Sequence, residues 1–454
     1  MMKKVDRENK MGVMPVNRLL LTMAAPIALS MIIQALYNIV DSIFVSYVSE
    51  AALSAVSLVF PVQNVMMALS SGTAVGVNAM VSRSLGAKDF DAADRYAGTG
   101  IFLSCSAAMV TLLFGLFFSG LYFSVQVTDP DIIRYGSDYL FFVTVFSLGA
   151  FLQVLGERLL ASTGKTMYFM IAQTAGALIN LVLDPILIFG LLGFPRLETA
   201  GAAIATVVGQ FAAAFLSFYF NVKANHDLHL RLRNVRFHWT YARKVLSIGV
   251  PSMFMLLVGS VMNFAMNQIL LVFSTTAVAV FGIYYKQQSL VFMPVFGLNN
   301  AMVPIVAYNL GAGRRTRITQ TMRLSAIYAT AIMCVGFLLF MLIPQSLLKM
   351  YNASAMMVDI GVPALRIMSI SFLFAGFCIV CSSSFQALGN GGYALAVSVS
   401  RQLLALLPIA ALFSLSGNLT LVWFSFPLAE IVSVTVSAVL LRRIYRTRIR
   451  PLPD

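Results

Sequence analysis

The chain is short of charge. Asp, Glu, Lys and Arg together make up 11% of its 454 residues, less than half the share in an ordinary soluble protein. A water-exposed globular fold is excluded on that ground alone. Cysteine and histidine are scarce as well, with four Cys and three His. Cys105, Cys334, Cys378 and Cys381 all fall in apolar stretches, and no His or second pair accompanies Cys378 and Cys381. A disulfide framework and a cysteine-based zinc site are therefore not expected. Long hydrophilic stretches are missing too. The most extended one lies near residues 221–241, which leaves no room for a folded aqueous domain or for a soluble enzyme.

What the sequence does have is apolar length. Hydrophobic residues make up 59% of it, and the mean hydropathy is +0.86. Twelve segments approach the ~20 residues that span a bilayer, at 19–45, 53–80, 95–119, 131–156, 166–190, 200–222, 245–273, 278–306, 318–343, 357–382, 392–414 and 419–441. The first run is too long for the core of a cleaved signal and carries Gln34, Asn38 and Asp41.

The net charge of +14 would suit a nucleic-acid binder, but its placement argues otherwise. Most Lys and Arg fall in the N-terminus, the even-to-odd connections and the C-terminus. Only Arg134, Arg196 and Lys349 fall on the opposite side. This is the positive-inside pattern with both termini cytoplasmic. A multi-pass protein of a bacterial cytoplasmic (inner) membrane is expected, monomeric and without a nucleic-acid partner. The basic tail then anchors topology and touches anionic lipid.

The two halves repeat at an offset of 225 residues. Pro26 matches Pro251, Asn38 matches Asn263, Leu85-Gly86-Ala87 matches Leu310-Gly311-Ala312, Gly164 matches Gly389, and Tyr168 matches Tyr393. Six spans per half give the second half the same orientation as the first, a parallel repeat of the kind transporters use. The expected organisation is a cytoplasmic tail at 1–18, a six-helix lobe at 19–222, a cytoplasmic linker at 223–244, a second six-helix lobe at 245–441 and a basic tail at 442–454. The fold class is all-α integral membrane, twelve transmembrane helices in two pseudo-symmetric six-helix bundles.

Within this frame the stretch ALINLVLDP stands out. Asn180 and Asp184 are four apart and share a helix face. Pro185 lacks an N–H, which frees a carbonyl one turn earlier. A carboxylate in lipid costs about 2.5–3.5 kcal/mol on insertion scales, so the cluster reads as an ion or proton site. Ser30, Gln34, Asn38 and Asp41 form a polar stripe on the first span. By helix rise, Asp41, Tyr139, Asp184 and Thr206 fall at similar depth on four spans. Two alternatives stay open here: Thr206 bonding its own helix, and Tyr139 as a buried aromatic with a satisfied hydroxyl.

The second half has no counterparts to the two acids. Met266 and Ile409 occupy those positions, and the half carries Asn263, Lys286, Arg366, Arg401 and Glu430 within its spans. Arg401 and Glu430 fall at similar depth and are expected to pair. Lys286 is either a proton carrier or a counter-ion for an anionic substrate. Glu157 and Arg158 close the fourth span as an exposed pair or a gate. Asp89, Asp91 and Asp94 suit the start of the third helix.

With these residues in view, the chain resembles the multidrug and toxic compound extrusion (MATE) family over roughly residues 15–440. The motifs are Pro26 with Asn38 and Asp41, LGAK at 85–88, Asn180-x-x-x-Asp184-Pro185, GAAIAT ending at Thr206, and FMPVFGLNNAMVPIVAYNLGAG at 292–313. The last stretch is similar to bacterial DinF-like members of the type that exports cationic drugs.

The resemblance implies two six-helix lobes and antiport driven by H+ or Na+, with no cofactor. It implies an ion site at Asp41, Asn180, Asp184 and Thr206, which serves as a metal site only if the ion is Na+. Tyr37 and Tyr139 match cavity-lining positions. Gln34, Asn38, Asn263 and Lys286 join them as substrate-cavity candidates from their place in the spans. The chain departs from the branch that carries acids on its seventh and tenth spans. The function expected is export of a small organic cation or amphipathic substrate by alternating access. The alternative is a flippase or exporter for a lipid-linked or amphipathic endogenous metabolite. A polyprenyl-transferase-like enzyme is disfavoured, because a second acidic cluster for Mg2+-pyrophosphate is lacking.

Overall fold

The computed structural model describes residues 8–351 and 353–453. Residues 1–7 of the expected N-terminal tail and Asp454 of the C-terminal tail lie outside them. All described elements are helical, without a strand among them. Among the described residues ten helices are long and apolar enough to cross a membrane, or twelve spans where each of two bent pairs counts as one.

We label the spans α1 (Val16–Ser46), α2 (Glu50–Gly86), α3 (Phe90–Gln126), α4 (Pro130–Val145 with Leu148–Ser162), α5 (Thr166–Phe189), α6 (Glu198–Lys223), α7 (Trp239–Leu271), α8 (Thr275–Gly311), α9 (Arg315–Leu342), α10 (Ala355–Ser369 with Phe372–Ala387), α11 (Gly391–Ser414) and α12 (Leu419–Ile449). Several helices outrun the apolar segments read from the sequence. Hydropathy marks only the apolar stretch, whereas a helix runs on to its caps. α2 starts at Ser49, whose hydroxyl accepts from the Ala52 N–H, and ends at the Ala87 cap.

The fourth and tenth spans are each broken into two helices. Each is bent, by 47° at Phe146–Ser147 and by 48° at Ile370–Ser371. No proline causes either break. Ser147 and Ser371 sit at the junctions, and the Ser371 hydroxyl bonds back to the Met368 carbonyl, a local bond that competes with the helix ladder. α11 is widened by a π-helical stretch, Ser400–Leu406.

The 225-residue repeat is written into the backbone. Ser49 and Ser274 are both extended N-caps whose hydroxyls accept from Ala52 and Ala277. Left-handed residues recur in register: Lys88 with Gly313, Gly164 with Gly389, and Leu192 with Gly417.

The chain divides into two compact units. The first holds Met1–Lys10 and Leu29–Met253, the second Met11–Ala28 and Phe254–Asp454. Both boundaries, after Ala28 and after Met253, fall inside a continuous helix (α1 and α7), and they too are 225 residues apart. In the first unit Asn9 donates to the Thr163 carbonyl and to Asp227, while the Asp94 carboxylate accepts the His229 N–H at 2.8 Å. In the second unit the carbonyls of Met11 and Met14 accept from the Arg317 guanidinium at 3.0 and 2.7 Å, and Arg314 donates to Gly12.

Candidate functional site

α5 and α6 cross at two glycines. A Cβ on Gly176 would lie 2.7 Å from the Gly209 carbonyl oxygen, and one on Gly209 would lie 2.6 Å from the Gly176 carbonyl oxygen. Only hydrogen fits at either position, so the backbones approach as small-residue pairs allow in membrane helices. One turn beyond this crossing stand Asn180 on α5 and Thr206 on α6. The Asn180 amide donates to Thr206 Oγ1 at 3.2 Å and to Asp184 Oδ1 at 3.3 Å. Thr206 thus takes a bond from the neighbouring helix. α5 runs unbroken through Pro185 and stops at Gly190, whose φ is +73°.

Asp184 is fully buried. The carboxyl of Asp41 from α1 lies beside it. Two neighbouring carboxyls out of water disfavour the doubly ionised state, which a proton or a cation relieves. The second oxygens, Asp41 Oδ1 and Asp184 Oδ2, are buried without a partner, as is Asn180 Oδ1. Tyr139 is buried beside the acids in a core with Phe123, Leu140, Ile188 and Ala202.

Tyr37 and Gln34 join on the other side. They line a cavity of about 20 Å³ with Asn180, Thr206 and three glutamines, Gln153, Gln173 and Gln210. That is room for one water or a small ion. Gln173 donates to Gln34 at 2.8 Å, and its own Oε1 and that of Gln210 are buried without a donor. Gln153 donates to Glu157 at 3.0 Å. Glu157 is buried, so it is not the exposed inner-side pair the sequence suggested.

The pattern of unmet valence is one-sided. Five buried oxygens in this cluster, on Asp41, Gln173, Asn180, Asp184 and Gln210, lack a donor. Buried acceptors ask for a proton or a cation. The donor set is carboxylate, amide and hydroxyl oxygen, which suits H+ or a hard ion such as Na+ rather than a transition metal. No group of three His, Cys, Asp or Glu positioned to hold a metal occurs among the described residues.

Of the sequence candidates, Asp41, Asn180, Asp184, Thr206, Gln34, Tyr37 and Tyr139 come together in the first unit. Asn38 is exposed rather than part of the buried cluster. Asn263 and Lys286 belong to the second unit, where the Asn263 amide bonds the Gly259 carbonyl of its own helix and Lys286 is exposed. The expected Arg401–Glu430 pair forms at 3.4 Å beside the π-helical stretch of α11. Arg366 holds the Met341 carbonyl at 3.2 Å.

Sequence reasoning left out Gln153, Gln173 and Gln210. The signal was available in part. Gln210 follows Thr206 by four and Gln173 precedes Asn180 by seven, so each shares a helix face with a residue already singled out.

A family model described as MatE matches residues 26–186 and 251–431, beginning at the two equivalent prolines. The multidrug export protein MepA of Staphylococcus haemolyticus is 26% identical over 90% of this chain and 89% of its own length. A FAD transporter of Shewanella oneidensis is also 26% identical, over 92% of each. In fold, the chain is similar to the outward-facing conformation of a multidrug resistance MATE family transporter, with a TM-score of 0.90 at 23% identity over 97% of this chain and 98% of that one. The chain is a multi-pass membrane protein and belongs to the MatE family, whose named relatives here are transporters and not enzymes.

Proposed function

We propose that this protein is a cation-coupled antiporter that exports small organic cations or related amphipathic compounds from the cytoplasm by alternating access. The coupling ion is H+ or Na+, and its site is Asp41, Asn180, Asp184 and Thr206. One observation carries the reading: two neighbouring carboxyls in the first unit, each with a buried oxygen that lacks a donor. Like charges this close cannot both stay ionised unless a proton or cation lies between them. An arriving ion neutralises the pair, and a positively charged substrate held by the same negative field is released.

Each charge moving inward gains about 2.3 kcal/mol per 100 mV, which offsets export of one monovalent cation. Tyr37, Asn38, Gln34 and Tyr139 are the substrate-cavity candidates of the first unit, and Asn263 and Lys286 those of the second. Both termini face the cytoplasm, with the basic ends of the spans held on that side.

The test is export of a fluorescent organic cation from proteoliposomes under an imposed pH gradient or an imposed Na+ gradient. Wild type follows one gradient, and Asp41→Asn and Asp184→Asn each lose it. If both variants export like wild type, the site assignment is wrong.

A second reading has one observation in its favour. The FAD transporter relative is as similar in sequence as the drug exporter, and FAD is an anion. Counterflow of a flavin dinucleotide that is blocked by Lys286→Gln, without any cation export, would favour an endogenous amphipathic metabolite as cargo.

A further inference from the structure

The second unit has a cavity of its own, lined by none of the buried acids. It is a groove of about 1020 Å³ between α9, α10 and the end of α12. On α9 its wall runs from Thr319 to Cys334 in steps of three and four, one helical face. That face is lined by Ala326, Thr330 and Ala331, small side chains that leave open the space a Leu or Phe would fill. Phe377 and Val380 of α10 form the opposite wall. Fifteen residues of helix give a length of about 22 Å. That exceeds the roughly 15 Å of hydrocarbon in one leaflet, half of the ~30 Å core.

One end of the groove is basic. Arg323, Arg442 and Arg446 line it, all three are exposed, and none forms an ion pair among the described residues. No acid stands near them in sequence: Asp and Glu are absent from Gly311 to Val358 and from Ile431 to Pro453. No acidic side chain lines the groove beside the three cations. A free organic anion would use the arginines but leave the apolar length empty, and a neutral lipid would fill the length but leave the arginines unmatched.

We infer that this groove is a binding site for an anionic phospholipid, with its phosphate among Arg323, Arg442 and Arg446 and an acyl chain laid along α9. The guanidinium fork suits a phosphate oxygen pair. The site is separate from the coupling-ion cluster and does not rest on the transport reading.

The experiment is native mass spectrometry of the full chain, delipidated in detergent and titrated with phosphatidylglycerol or phosphatidylcholine of identical chains, with inorganic phosphate as a headgroup-only arm. Wild type retains phosphatidylglycerol over phosphatidylcholine. Each arginine near a membrane surface contributes roughly fivefold, so the triple variant Arg323→Gln/Arg442→Gln/Arg446→Gln weakens phosphatidylglycerol binding by about a hundredfold. Ala331→Phe, which fills the groove and keeps every charge, also weakens it, so the inference stays testable if the triple variant folds poorly. Arg443→Gln/Arg448→Gln/Arg450→Gln, three exposed arginines of the same tail outside the groove, leaves binding within about twofold. Equal retention of the two lipids, an equal loss in that second triple variant, or displacement of phosphatidylglycerol by millimolar inorganic phosphate would each overturn it.

Discussion

Gly209→Ala tests how the helix crossing builds the ion site. The added methyl would meet the Gly176 carbonyl oxygen at 2.6 Å and the Asn180 Cβ at 3.1 Å, whereas ordinary contact begins at 3.4 Å. The carbonyl is backbone in mid-helix and cannot swing aside, so α5 and α6 must separate by about 0.8 Å, the difference between 3.4 and 2.6 Å. The Asn180–Thr206 bond, now 3.2 Å, then stretches to about 4 Å and is lost. Overpacking costs about 1–3 kcal/mol, and a stranded buried amide donor about 1–3 kcal/mol more. The variant melts several degrees below wild type in detergent, and its export under the driving gradient falls together with ion affinity. Gly120→Ala is the control, since a methyl there meets nothing within 4 Å. A Gly209→Ala protein that melts and transports like the Gly120→Ala control would refute the idea that this contact sets the site geometry.

Two further outcomes follow from buried charge. Arg401→Ala strips the partner from Glu430, whose side chain is 4% exposed, and should cost about 3–5 kcal/mol. The paired replacement Arg401→Met/Glu430→Leu recovers most of it, and chemical denaturation giving equal losses for the two variants would contradict the pairing. Burial, reinforced by nearby Lys165, holds the Lys10 ammonium below the usual lysine range. That cost is fully present below the lowered folded value and is relieved as pH rises from it toward the ordinary ~10.4. Lys10→Met therefore melts above wild type at neutral pH, with the gap closing toward pH 10. A gap that does not change with pH would show that Lys10 is not destabilised by its charge.

Much of the site was legible before any coordinates. Asp41, Asn180, Asp184 and Thr206 announced themselves because polar groups at equal depth in apolar spans have few benign explanations. Depth counting gives height along a helix but not rotation between helices. That is why Gln153, Gln173 and Gln210 do not stand out in the sequence as neighbours of Asn180, and why the choice between an exposed pair and a gate at Glu157 stays open there. Asn38 shares a stripe with Asp41 in sequence but is exposed, so the stripe is wider than the buried face. The bends at Phe146–Ser147 and Ile370–Ser371 left no proline to read. The repeat, by contrast, could be counted from residue identities alone.

The placement of Met11–Ala28 has a consequence for how the chain is made. These residues leave the ribosome early, but the rest of their unit begins only at Phe254. At 5–20 residues per second, the delay is about 10–50 s. For that interval α1 crosses the bilayer with its leading half unpartnered, while Leu29 onward already has its unit under construction. The cell must hold a half-docked helix in lipid until Arg317 arrives to take the Met11 and Met14 carbonyls.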